Sequence, residues 1–191
     1  MNSLTKRFIQ LLIVKNIIKD KDKNIYVYGF NQLLFTGLNL ITVIILGVIF
    51  NKLMDSIIFM CTYIPIRVYA GGYHAKTHLK CYIFSIIMLS IILFILKINL
   101  ISLHISLILV LISSILILFL SPVEDKNKPL DKLEKKVYKK RTIRNFIIAL
   151  IVLLIFLLLN KSSIIISMSL AFTCNGIMLI LGKLNNITQK S

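Results

Sequence analysis

Tyr82-Ile-Phe-Ser-Ile-Ile-Met-Leu-Ser-Ile-Ile-Leu-Phe-Ile-Leu96, then Lys97-Ile-Asn99, then Leu100-Ile-Ser-Leu-His-Ile-Ser-Leu-Ile-Leu-Val-Leu-Ile-Ser-Ser-Ile-Leu-Ile-Leu-Phe-Leu120 is the stretch that decides the fold. Two apolar runs flank a short corner, and Lys97 is the only Asp, Glu, Lys or Arg in the whole stretch. A hydrocarbon layer ~30 Å thick offers backbone groups no water, so runs of this kind cross it as helices with their peptide groups satisfied internally. The tight corner makes the pair a helical hairpin.

Working outward, the same reading covers the chain. Of its 191 residues 58% are hydrophobic and 16% charged, with a mean hydropathy of +0.89. That leaves too little polar surface for a soluble domain of this length. Further spans are expected at 32–50, 56–66, 145–159 and 164–181, giving six. The run at 56–66 is short and carries Pro65, so it must borrow residues from either side to cross. Residues 3–19 mix Phe8, Leu11, Leu12 and Ile18 with Lys6, Arg7, Lys15 and Lys19, the pattern of an amphipathic helix in the headgroup layer. The expected fold class is therefore an all-α polytopic integral membrane protein, with about six hydrophobic segments and an N-terminal amphipathic interfacial helix. Residues 1–191 read as a single membrane domain. Within it 1–31 form the interfacial helix and a cytoplasmic segment, 67–81 a polar loop, and 121–145 a basic loop. The polar residues 19–23 precede the first long apolar run, so no cleavable signal is expected.

The net charge is +16. In a soluble protein that would point to nucleic acid; in a membrane protein it marks loops that meet anionic lipid, and no nucleic acid is expected. Of 23 Lys and Arg, only Lys52, Lys97 and Lys161 fall on one set of connections, leaving 20 on the other. The positive-inside rule then puts both termini, the 67–81 loop and the 121–145 loop in the bacterial cytoplasm. Cys61 and Cys174 lie in apolar runs and read as small packing residues. No CxxC pair argues for a disulfide framework or a metal cluster.

The polar island is Arg67-Val-Tyr-Ala-Gly-Gly-Tyr-His-Ala-Lys-Thr-His-Leu-Lys-Cys81. A thiol attacks as thiolate, which a nearby imidazole and positive charge promote, so His74 and Cys81 form the natural nucleophile–base couple. On one continuous helix they would share a face but stand about 10.5 Å apart along the axis. The Gly71-Gly72 pair offers a sharp turn that folds His74 back toward the start of the Cys81 helix, where an anion also meets the positive end of the helix dipole. A couple shared between two protomers is the other solution. Backbone N–H groups near Gly71-Gly72 or at the helix start are the candidate oxyanion donors. Competing readings stand beside this one. Cys81 could simply pack, Gly71-Gly72 could serve close helix approach, and Arg67 could be an interfacial anchor. His74, His78 and Cys81 at i, i+4 and i+7 could offer zinc three ligands on an unbroken helix, though no carboxylate completes the set. His104, inside an apolar run, reads as a packing contact. In the basic loop Lys128, Lys132, Lys135 and Lys136 set topology and attract lipid, and could also dock an acidic peptide.

With these residues in place the chain resembles the accessory gene regulator B (AgrB) family of membrane peptidases from Gram-positive bacteria. Arg67, Gly71-Gly72, His74 and Cys81 carry the resemblance, together with the loop Ser121-Pro122-Val-Glu-Asp-Lys-Asn-Lys-Pro129-Leu. It implies a cysteine endopeptidase that cuts the acidic tail from an AgrD-type propeptide through a Cys81 thioester, with His74 as base and then acid. A propeptide Cys or Ser then closes a thiolactone or lactone ring for quorum sensing. The resemblance further implies a homodimer and no cofactor or metal, with Arg67 holding either the peptide or the fold. A non-catalytic peptide-export or scaffold protein, with the polar island as a gate, is the alternative.

Overall fold

The computed structural model describes residues 2–14, 17–19, 22–73, 77–124 and 130–188, apart from the side chains of residues 2–4, 6, 28, 32 and 78. Seven helices follow in order: α1 Asn2–Val14, α2 Lys23–Ile49, α3 Leu53–Ala70, α4 His78–Lys97, α5 Leu103–Leu120, α6 Lys132–Leu158 and α7 Ser162–Thr188. Among the described residues the last six are long and apolar enough to cross a membrane, and no β-strand is present. The chain is thus an all-α polytopic membrane protein, and the short second span does borrow, reaching from Leu53 to Ala70 with Pro65 inside it.

The helices divide into two compact units, Met1–Thr42 and Val43–Ser191. In the first, Thr5 donates to Asn31 at 2.8 Å and the rings of Phe8 and Phe30 stack at 4.8 Å, joining α1 to α2. The buried stripe of α1 runs through Thr5 and Ile9, whereas Phe8 and Leu11 stay exposed. In the second unit α7 is the axis: 61% of its most apolar 18 residues are buried, against 17–33% for α3 to α6. One core gathers Ile66, Ile117, Phe146, Phe172 and Leu179 from α3, α5, α6 and α7. Another gathers Val43, Phe59, Leu93 and Ala171 from the end of α2 and from α3, α4 and α7.

Each expected corner ends its helix the same way. Asn51, Asn99 and Asn160 adopt φ of 56°, 50° and 54°, the left-handed conformation that asparagine tolerates at helix ends. These corners lie at one end of the second unit: Lys97 sits over the Phe50 ring, and Asp55 of α3 accepts from Ser163 at the start of α7. The 70–73 and 121–124 segments meet the C-terminal half of α7 at the opposite end.

Two expectations change. The basic segment is largely helix, because Lys132 to Arg144 form the first turns of α6. Lys, Leu, Glu and Arg are good helix formers, and the Glu134 side chain accepts from the Asp131 N–H at 3.1 Å, closing the helix start. His104 is not a packing contact; it is exposed in the first turn of α5.

Candidate functional site

The polar island falls into three pieces. Arg67 to Ala70 finish α3, Gly71 to Tyr73 cross over, and Thr77 leads into α4, which His78 to Cys81 open. α3 stops because Gly71 takes φ 72° and ψ −146°, a region glycine occupies almost alone. Gly72 follows at φ 115°. These two residues and Tyr73 are then laced between two other parts of the chain. The Val123 N–H donates to the Ala70 carbonyl at 2.9 Å, and the Gly72 N–H donates to the Val123 carbonyl at 3.2 Å. The Tyr73 N–H donates to the Met178 carbonyl of α7 at 2.9 Å.

Glycine is required here by space as well as torsion. A Cβ on Gly71 would stand 2.0 Å from the Val123 oxygen, and one on Gly72 would stand 2.6 Å from the Met178 oxygen. α7 contributes a third glycine: a Cβ on Gly182 would lie 2.5 Å from the Gly72 carbonyl carbon. Gly182 escaped the sequence reading, and its only signal is a glycine deep in an otherwise apolar helix, where small residues let backbones approach.

Arg67 closes the lacing. Its guanidinium donates through Nη1 to the Gly71 carbonyl and through Nη2 to the Tyr73 carbonyl. The planar fork of arginine suits two oxygens on neighbouring peptides. Beyond Tyr73 the ring packs on Phe84 of α4 at 5.9 Å, one turn past Cys81.

Thr77 is extended (φ −133°, ψ 148°) and caps α4, its Oγ1 accepting from the Lys80 N–H at 3.3 Å. The Cys81 N–H makes the first intrahelical bond, to the Thr77 carbonyl at 3.0 Å. Cys81 is half-buried and its thiol is free. Because Cα–Cβ bonds lean toward a helix N-terminus, its side chain overlies the first turn, whose leading N–H groups have no intrahelical acceptor. The extended Thr77 also breaks the continuous helix on which His74, His78 and Cys81 would have shared a zinc-binding face. His74, Lys76 and Lys128 lie outside the described residues.

Of the expected oxyanion donors, those at the Gly-Gly turn are already spent. The Gly71 N–H goes to the Arg67 carbonyl at 3.1 Å, and those of Gly72 and Tyr73 go to Val123 and Met178. The start of α4 is left.

Lys132, Lys135 and Lys136 are exposed on the first two turns of α6. Lys135 pairs with Glu124 at 3.1 Å; among the described residues Lys132 and Lys136 have no acidic side chain within salt-bridge distance. Glu124 is itself fixed, accepting from the Leu130 N–H at 3.1 Å, while its carbonyl accepts from Asn186 of α7 at 2.8 Å. Lys139 turns inward onto the Leu118 and Ser121 carbonyls at the end of α5, where a cation meets the negative end of the helix dipole.

Comparison with known proteins places this arrangement. The family model for accessory gene regulator B matches residues 5–180. This chain belongs to the accessory gene regulator B family. An AgrB-like protein of Clostridium perfringens (strain 13, type A) is 32% identical over 151 residues, which span 75% of this chain and 68% of that protein. A second AgrB-like protein, from Clostridium perfringens strain SM101, is 32% identical over 158 residues, or 79% of this chain and 71% of its own. No solved structure matches. Membership of the AgrB family implies a part in quorum-sensing signal processing, with membrane association and an AgrD propeptide as partner.

Proposed function

We propose that the chain is a membrane cysteine endopeptidase and peptide cyclase acting on an AgrD-type propeptide, with Cys81 as nucleophile. The observation that carries this reading is a free, half-buried thiol in the first turn of α4, one turn before Phe84, whose ring packs on Tyr73 of a crossover held by Arg67, Val123 and Met178. The Cys81 thiolate attacks the carbonyl that precedes the propeptide's acidic tail. The Lys80 and Cys81 N–H groups are taken by Thr77, and those of His78 and Leu79, which have no acceptor within the helix, would receive the oxyanion. His74 takes the thiol proton and returns it to the nitrogen of the leaving tail as the C–N bond breaks, leaving a thioester on Cys81. A Cys or Ser side chain of the retained peptide attacks that thioester, closes the thiolactone or lactone, and releases the Cys81 thiol. One thioester replaces another, so ring closure requires no ATP.

Arg67 acts on the fold of the site: both of its bonds go to the crossover's own carbonyls, with Gly71 and Gly72 making that path possible. Lys132 and Lys136, with Lys128, form the cationic surface for the acidic tail, and Lys135 shares its charge with Glu124. The 20-to-3 charge bias puts this end of the bundle, and so the active site, on the cytoplasmic side of the cell membrane. There the basic face also meets anionic lipid, and the working unit is a homodimer.

Co-expression with an AgrD-type propeptide tests the reading. Mass spectrometry is expected to find a released tail with wild type and none with Cys81→Ala or His74→Ala. Undiminished tail release by Cys81→Ala would overturn it.

A further inference from the structure

A groove between α3 and α6 lies apart from the peptidase site. It encloses about 410 Å³ and is walled by Ile58 and Pro65 of α3, Ile148, Val152 and Phe156 of α6, and Met168 of α7. From Asn145 to Phe156 it runs about 16 Å along α6, half of a ~30 Å hydrocarbon core and therefore the depth of one leaflet. Volume over length gives a column about 6 Å across for the centre of a water-sized sphere, or roughly 9 Å between walls once a radius of ~1.4 Å is added on each side, still narrower than the ~10–12 Å of a helix with side chains. A second helix does not fit this space, and a single extended chain does.

The polar groups on the walls exclude a peptide. Asn145 already donates to the Pro65 carbonyl at 2.7 Å, and Thr62 donates to the Ile58 carbonyl at 2.9 Å. Over about 16 Å an extended backbone would bring roughly five N–H and five C=O groups, and these two side chains, each already bonded once, could meet only a few of them.

One end of the groove is different. A helical turn beyond Asn145 on α6 is Arg141, and a turn beyond Pro65 on α3 is Tyr69. Arg141 lies over the Tyr69 ring at 5.2 Å with its Nη1 3.5 Å from the hydroxyl, and Tyr138 meets Tyr69 edge-on at 5.8 Å. Lys140 and Arg144 stand exposed beside them. A cationic, aromatic end on an apolar slot one leaflet deep is complementary to an anionic amphiphile.

We propose that this groove binds one acyl chain of an anionic phospholipid, with the phosphate held at Arg141. The test uses the full chain in neutral detergent, mixed with equimolar phosphatidylglycerol and phosphatidylcholine of identical acyl chains, and counts lipid adducts by native mass spectrometry. Wild type is expected to keep a first phosphatidylglycerol about fivefold over phosphatidylcholine, the ratio equivalent to ~1 kcal/mol for one basic side chain. Arg141→Gln is expected to bring the ratio to about 1. Ala149→Phe, which fills the groove, is expected to lose the first adduct of either lipid; Val152→Phe repeats the test if circular dichroism shows that Ala149→Phe has not folded. Equal adducts in wild type would overturn the proposal, as would a preference that survives Arg141→Gln. A shift of Ala149→Phe from dimer to monomer with its lipid preference intact would also do so, because the groove would then be a contact between copies.

Discussion

α3 is fastened to α7 at both ends by opposite means. At its N-terminal end the fastening is a buried side chain: Asp55 accepts from Ser163 at 2.7 Å and from Ser167 at 2.8 Å, with Lys52 3.7 Å away. At its C-terminal end it is backbone, with the Gly71–Tyr73 crossover threaded between Val123 and Met178 and clamped by Arg67. The Asp55 cluster closes on itself, and its carboxylate serves packing. The crossover is held by peptide groups and one guanidinium, and the Cys81 thiol one turn before Phe84 is free. Reactive groups belong at the second kind of fastening, where backbone fixes geometry and side chains are left to react.

The comparison is broken most severely at Gly72. In Gly72→Ala the new Cβ would stand 2.2 Å from Arg67 Nη1 while the backbone stays at φ 115°. Product is expected to fall below detection, with a stability loss of about 3 kcal/mol, checked by mass spectrometry and thermal melting in micelles. Next comes Arg67→Lys, which keeps the charge and loses the fork. Turnover is expected to drop about 100-fold, because a displacement of ~1 Å at a reacting centre costs that much, with KM little changed. At the other end of α3, Asp55→Ala removes the carboxylate acceptor shared by the exposed Ser163 and the buried Ser167, leaving Ser167 only the Ser163 carbonyl. Stability should fall by about 1–3 kcal/mol while turnover per folded molecule holds. A fall in turnover matching that of Arg67→Lys would erase the distinction between the two ends. The smallest effect is expected from Lys136→Gln: KM for the propeptide rises about threefold at low salt, and the difference fades at high salt as exposed charges are screened.

Much of this architecture was legible in the sequence, because apolar runs and lysine placement obey the bilayer directly. Six spans, their Asn-marked corners and the reach of α3 past Pro65 follow from solvent physics. Cys81 and Arg67 were visible as polar residues in greasy surroundings. What could not be read is the lacing itself. Backbone hydrogen bonds joining Ala70 and Gly72 to Val123, and Tyr73 to Met178, leave no mark on side-chain pattern, so the role of Gly182 and the use of Arg67 on its own loop emerged only from the fold. The helical start of α6 was hidden for another reason: a dense run of lysines reads as solvated loop unless the Asp131–Glu134 cap is weighed.

The central claim is that Cys81 carries the peptide as a thioester, and one intact-mass measurement tests it most directly. The protein is mixed with a propeptide whose ring-closing Cys or Ser is replaced by Ala, so that an acyl-enzyme has no internal exit, and is quenched in acid. The account predicts a mass gain equal to the tail-less propeptide acid less one water, mapped to Cys81, removed by hydroxylamine and absent in Cys81→Ser. Tail release with no adduct at any time point, or an adduct on another residue, would contradict it.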